Sequence, residues 1–112
     1  MLLLTSTADV LRVVTNSTAT LDVHASWVDN ASGTITPGRT NTAIAAAATT
    51  TVVASPAAST QRNLQSLILQ NRHASLADTI TIQHFDGTTS IDLFTTVLAT
   101  GEQLTWLDGQ GF

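Results

Sequence analysis

Residues 62–112, RNLQSLILQNRHASLADTITIQHFDGTTSIDLFTTVLATGEQLTWLDGQGF, decide the fold. Leu64 to Gln70 alternates as a strand and Asn71–Ser75 reads as a loop. Thr79 to Phe85 then sets Ile80 and Ile82 against Thr79, Thr81 and Gln83, the period-2 pattern of a half-buried strand. Asp86-Gly87 is the strongest hairpin signal in the chain, because glycine accepts the positive φ that a tight turn between twisted strands needs. Ile91, Leu93 and Thr95 continue the pattern, with Phe94 on the opposite face. Thr100-Gly101 turns into a strand over Gln103–Leu107, and Asp108-Gly109-Gln110-Gly111 closes the stretch. Several short strands separated by turn signals predict a sandwich or a barrel.

The N-terminal half fits the same reading. Residues 2–6 and 10–15 are short apolar runs with β-branched content, expected as strands, the first an edge strand or an arm within residues 1–6. Asn16-Ser17-Thr18 is a turn cluster. Leu21, Val23, Ala25 and Trp27 alternate with polar neighbours, which predicts a strand with Trp27 facing inward. Residues 29–41 are expected to form the longest loop, with a type II turn at Pro37-Gly38 and Arg39 at its exit. Residues 42–54 read as a short strand, a Thr/Ala-rich bend and a second strand; Ser55–Ser59 is a connector, where Pro56 ends the preceding ladder. The halves also echo one another: LRVVTNSTATLDVHASWVDN and LQSLILQNRHASLADTITIQHFDG both run strand, Asn-centred turn, longer alternating strand, Asp turn. The expected fold is therefore all-β, one domain over residues 1–112. It is a two-layer antiparallel β-sandwich, jelly-roll or Greek-key like, whose two β-halves would pack face to face.

Composition narrows the function. The chain has 112 residues, of which 11% are charged, against about 25% in an ordinary domain. Threonine, with 21 copies, fills much of the difference and favours a pleated, half-buried surface. The only cations are Arg12, Arg39, Arg62 and Arg72; there is no lysine, the residue that keeps exposed strand edges from sticking. Arginine is enriched at interfaces instead. A low-charge surface with arginine alone suits a protein packed against neighbours. A formal charge of -4 without a basic run argues against binding nucleic acid through phosphates. There is no cysteine, hence no disulfide framework and no thiolate metal site. The start MLLLTSTADV lacks the charged n-region of a signal peptide, and no stretch reaches the ~20 apolar residues of a membrane helix. A soluble chain made in a host cytoplasm, with no membrane partner, is the expectation.

Catalytic signatures are sparse. His24, His73 and His84 stand apart in sequence; His84 and Asp86 could share a strand face, but Asp86 is accounted for by its turn, so no metal site is expected. No G-x-S-x-G elbow accompanies the many serines and threonines. Most carboxylates fall at turns, and Gly109 and Gly111 precede no helix that could cradle a phosphate. Neither an enzyme nor a bound cofactor is expected. Trp27 reads as core; Trp106 reads as core or as an interface anchor, and the pair is a thin basis for a glycan-stacking platform.

The motifs TPGRTNTA at 36–43, VASPAASTQRN at 52–63, NRHAS at 71–75, TIQHFDGTT at 81–89 and LATGEQLTWLDGQGF at 98–112 together resemble small β-sandwich virion proteins of tailed bacteriophages. These occur as capsid cement (decoration) proteins or as modules of necks and tail fibres. The resemblance spans nearly the whole chain, and the ending at Phe112 favours a freestanding protein over a fibre domain. It implies a virion structural protein on the capsid surface, a dimer or trimer, partnered by the major capsid protein or other virion proteins. A neck, tail or fibre-attachment protein is the alternative, and a glycan-binding module a more distant one. The contact residues expected on this basis are Arg39, Arg62, Arg72 and the N-terminal leucines Leu2, Leu3 and Leu4.

Overall fold

The computed structural model describes residues 1–112 and is all-β. Nine strands form: β1 (Leu2–Leu4), β2 (Val10–Thr15), β3 (Leu21–Ala31), β4 (Thr34–Ile44), β5 (Thr49–Val53), β6 (Gln61–Asn71), β7 (Asp78–Phe85), β8 (Ser90–Leu98) and β9 (Gln103–Leu107). They make two antiparallel sheets. One has the order β5-β2-β7-β8; the other has β4-β3-β6, with β1 and β9 lying end to end along the far edge of β6. The inward side chains of both sheets make one core, centred on Leu11, Val13, Leu21, Val23, Leu67, Leu69, Ile80 and Ile82. The expected two-layer antiparallel sandwich is what the chain forms.

The topology repeats itself. β2 to β5 form a long hairpin bent across both sheets: β3 and β4 pair in one sheet, β2 and β5 in the other. β6 to β9 do the same with the sheets exchanged, β7 pairing β8 and β6 pairing β9. The two bent hairpins join where β2 meets β7 and where β3 meets β6. The correspondence extends to single residues. Leu11, Val13 and Thr15 point inward on β2 as Leu67, Leu69 and Asn71 do on β6. At the strand ends, Thr15 N–H donates to the Ala48 carbonyl just before β5, and Asn71 N–H to the Glu102 carbonyl just before β9. The echo between residues 11–30 and 64–87 thus coincides with equivalent strands, since a bent hairpin needs the same inside–outside pattern in each half.

Two expectations fail. The halves do not pack as one sheet against the other, because each bent hairpin gives two strands to each sheet. Residues 29–41 are no loop: β3 runs on to Ala31, turns at Ser32-Gly33, and returns as β4 through Pro37, Gly38 and Arg39. Both turn residues have positive φ, 51° and 89°, as a two-residue hairpin turn requires, and Asn30 Oδ1 accepts the Gly33 N–H. Pro37 is tolerated because β4 is an edge strand, where a missing N–H need not break a ladder. Gly38 is required by packing rather than by a turn: a Cβ there would stand 2.5 Å from Trp27 Nε1. Trp27 is half-buried against the core, just past an irregularity in the β3–β6 register.

Candidate protein-interaction surface

The six residues expected to make contacts scatter. Leu4 is fully enclosed in the core and Leu2 packs against it, because residues 2–4 pair with Leu64, Asn63 and Arg62 of β6 instead of hanging free. Leu3 gives its carbonyl to His84 Nε2 at 3.2 Å, tying β1 to the other sheet. Arg62 is an internal brace. Its guanidinium pairs with both oxygens of Asp29 at 2.9 and 3.0 Å, donates to the Ala54 carbonyl, and lies 4.4 Å from the Trp27 ring centroid. With its side chain 13% exposed, it holds the root of the β3–β4 hairpin and offers little to a partner. Arg72 is exposed and bonded to Asp22 at 2.7 Å. Arg12 donates to Gln83 and Ser90 and lies over Phe85. Arg39 alone, exposed on β4, has neither a hydrogen-bond nor an ion-pair partner, which leaves its planar fork available to a carboxylate on another molecule.

The three histidines lie in separate places. His24 Nδ1 bonds Asn41 Oδ1 at 2.6 Å, His73 Nδ1 accepts the N–H groups of Ser75 and Leu76, and His84 reaches Leu3. No group of three His, Asp or Glu side chains comes together in metal-binding geometry. A groove of about 430 Å³ crosses the outer face of β3, β4 and β6, lined by Asp22, His24, Asn41, Thr42, Ile68 and Gln70. Neither tryptophan borders it: Trp106 is buried in the core and Trp27 lies beneath Arg62. Two aspartates are tuned by local turns. Burial pushes Asp9 up, but the Thr5 N–H and the Ser6 hydroxyl and N–H together outweigh it and leave the carboxyl below its ordinary 3.8. Asp86 is lowered from the same value by the N–H groups of Thr89 and Thr88, the bonds that close the β7–β8 turn.

Exposed large apolar side chains are not scattered. Ile91, Leu93 and Val97 stand on β8, the open edge of one sheet; Leu107 ends β9, on the open edge of the other. Phe112 joins these edges, stacked on Phe94 of β8 at 4.7 Å and 6.5 Å from Trp106 of β9. The turn that brings it there is fixed by bonds between Leu107 and Gly111. Met1 is at the same side, its amino group 3.3 Å from Asp108. Six of the eight exposed large hydrophobics therefore border one flank; Ile35 and Leu76 lie elsewhere. Such a gathering marks a contact surface more than isolated exposed side chains do.

Sequence reasoning overlooked this flank because β8 reads as an ordinary core strand. Its signal is apolar residues on both faces: Phe94 and Leu98 turn inward while Leu93 and Val97 turn outward beside Thr95, whose hydroxyl bonds Thr81. A strand apolar on both faces is either covered twice or lacks a partner. Comparison with protein-family models, with curated proteins and with solved structures returns no match.

Proposed function

We propose that this chain is a virion structural protein of a tailed bacteriophage, a capsid cement protein that binds in many copies over the joints between capsid subunits and stabilises the head. The observation that carries this reading is the apolar flank of β8, β9 and Phe112 on a sandwich whose histidines and carboxylates are dispersed in local bonds. A surface of this kind suits protein contact. The resemblance of its turn motifs to small phage virion proteins supplies the particle.

The surface chemistry suits a lattice. Arg39 offers a bidentate hold on a capsid carboxylate, and the low charge of the chain permits neighbouring copies to approach. Contacts that are weak singly become strong when copies are linked on a regular array. Heads stripped of the protein should rebind it saturably, at many copies over the whole shell, and gain resistance to heat. Binding confined to neck or tail components, at few copies per virion, would reject the cement reading in favour of an attachment role.

A further inference from the structure

We infer that the free edge of β8 is a self-pairing edge: two copies of this chain join β8 to β8 antiparallel about a two-fold axis at Thr95, merging their β5-β2-β7-β8 sheets into one eight-stranded sheet. The other open edges are poorer templates. β4 carries Pro37 in mid-strand, the β6 flank is split between three-residue β1 and five-residue β9, and β5 is five residues long. β8 has nine residues, no proline and no lysine.

Its sequence is symmetric about the proposed axis. In the segment Leu93-Phe94-Thr95-Thr96-Val97, Leu93 and Val97 stand two residues either side of Thr95, all three on the outward face. Pairing Thr95 with its own copy sets Leu93 against Val97 of the second copy and Val97 against its Leu93. Both exposed side chains then gain an apolar cross-strand partner. A shift of one residue would place the outward face of one copy against the inward face of the other. Charge also permits this register. Asp92 is the only charged residue on β8, it is already bonded to Gln83, and it lies beyond the extra residue Leu93, outside the ladder. The two Asp92 carboxylates thus stand about 20 Å apart along the strands. The register irregularity between Ile82 and Gln83 leaves Leu93 as the extra residue of β8, between Asp92 opposite Gln83 and Phe94 opposite Ile82, which confines pairing to residues 93–97.

The shared strip is one strand wide and about 17 Å long, smaller than the interfaces of permanent dimers. Association is therefore concentration-dependent in solution and completed on a lattice. In the dimer the β8 flanks meet at the centre, leaving the β4 strands and Arg39 at the two far ends, a bivalent arrangement. The inference rests on reading this flank as a contact surface and not on the particle it serves.

Sedimentation of the purified chain across a micromolar-to-millimolar series tests it without any capsid. The wild type should self-associate, Val97→Lys should weaken association at least about tenfold by setting lysines at the edge, and Ile35→Lys on the opposite flank should leave it unchanged. Because the chain has no cysteine, a single introduced thiol gives an independent readout. Directly opposed strand residues hold Cα atoms about 5 Å apart, within the span that a disulfide bridges. Under added oxidised glutathione, Thr95→Cys should form a disulfide-linked dimer faster than Thr51→Cys, an exposed site on β5. A wild type that stays monomeric throughout, a Val97→Lys variant that associates like the wild type, or equal cross-linking at both cysteines would each overturn the inference. Failure to rebind stripped heads, with association intact, would remove the cement reading and leave this one standing.

Discussion

The hairpin β3–β4 and the hairpin β7–β8 occupy equivalent places in the two halves, yet they end differently. In the first, the edge strand β4 is interrupted by Pro37 and Gly38, and Ile35 is its one exposed large hydrophobic. In the second, the edge strand β8 has no proline, carries a single bulge at Leu93, and exposes Ile91, Leu93 and Val97. The same topology has one flank that resists strand addition and one that invites it. Edge chemistry, not fold, separates the surface that is shielded from the surface that is offered.

The comparison also runs through the interior, where it can be broken by mutation. Asn71 and Thr15 close the equivalent strand ends β6 and β2. Asn71, fully buried, donates to the carbonyls of Leu76 and Leu98 and accepts the His73 N–H. The single Thr15 hydroxyl donates to the Ala46 carbonyl at 2.6 Å and accepts the Ala48 N–H. Asn71→Ala should lower the unfolding free energy by about 3 kcal/mol, because it strands several buried groups at once. Urea denaturation measures it. Thr15→Val, which keeps the shape and removes one hydroxyl, should cost about 1 kcal/mol. Equal losses would mean that the two ends are not braced as unequally as their bonds indicate.

Between these falls Arg62→Ala, expected to cost about 2 kcal/mol through loss of the Asp29 pair, the Ala54 bond and the Trp27 stack. Its intrinsic tryptophan fluorescence should shift as Trp27 is uncovered. Arg39→Ala, by contrast, should change stability by less than about 0.5 kcal/mol while weakening attachment to stripped heads. If Arg39→Ala attached normally, the β4 flank would have no part in binding.

The smallest effect is acid dependence. Asp9 and Asp86 both have lowered pKa values in the folded chain, so the stability they contribute is present above the ordinary value of 3.8 and is lost as pH falls through the lower folded values. Asp9→Asn should therefore be less stable than the wild type at neutral pH and should lose less on acidification below pH 4, seen as converging melting temperatures. Parallel acid profiles would assign the acid loss to other carboxylates.

Much of the sandwich was legible because alternation is a local signal. β2, β5 and β9 follow from residues 10–15, 49–53 and 103–107 alone. The β3–β4 hairpin was not, for two non-local reasons. Pro37-Gly38 has the composition of a turn, but Pro37 is admitted by the edge position of β4 and Gly38 is demanded by the Trp27 ring across the ladder. The Ser32-Gly33 turn that does the work is a less conspicuous pair. The arginines show the same limit. Sequence marks Arg39, Arg62 and Arg72 alike, whereas folding pairs Arg62 with Asp29 and Arg72 with Asp22 and leaves Arg39 unpartnered. The β8 flank was hidden because exposure on the outer face depends on which strand lies at the edge, and strand order is set by the joining of the two bent hairpins.

In the proposed cement role, the β8 flank is the working surface. Its most direct test is to titrate stripped heads with the wild type and with Val97→Lys, and to follow bound copies and the temperature at which heads rupture. The wild type should saturate the shell and raise the rupture temperature; Val97→Lys should bind markedly more weakly and protect less. Equal binding and equal protection by the two proteins would contradict the account.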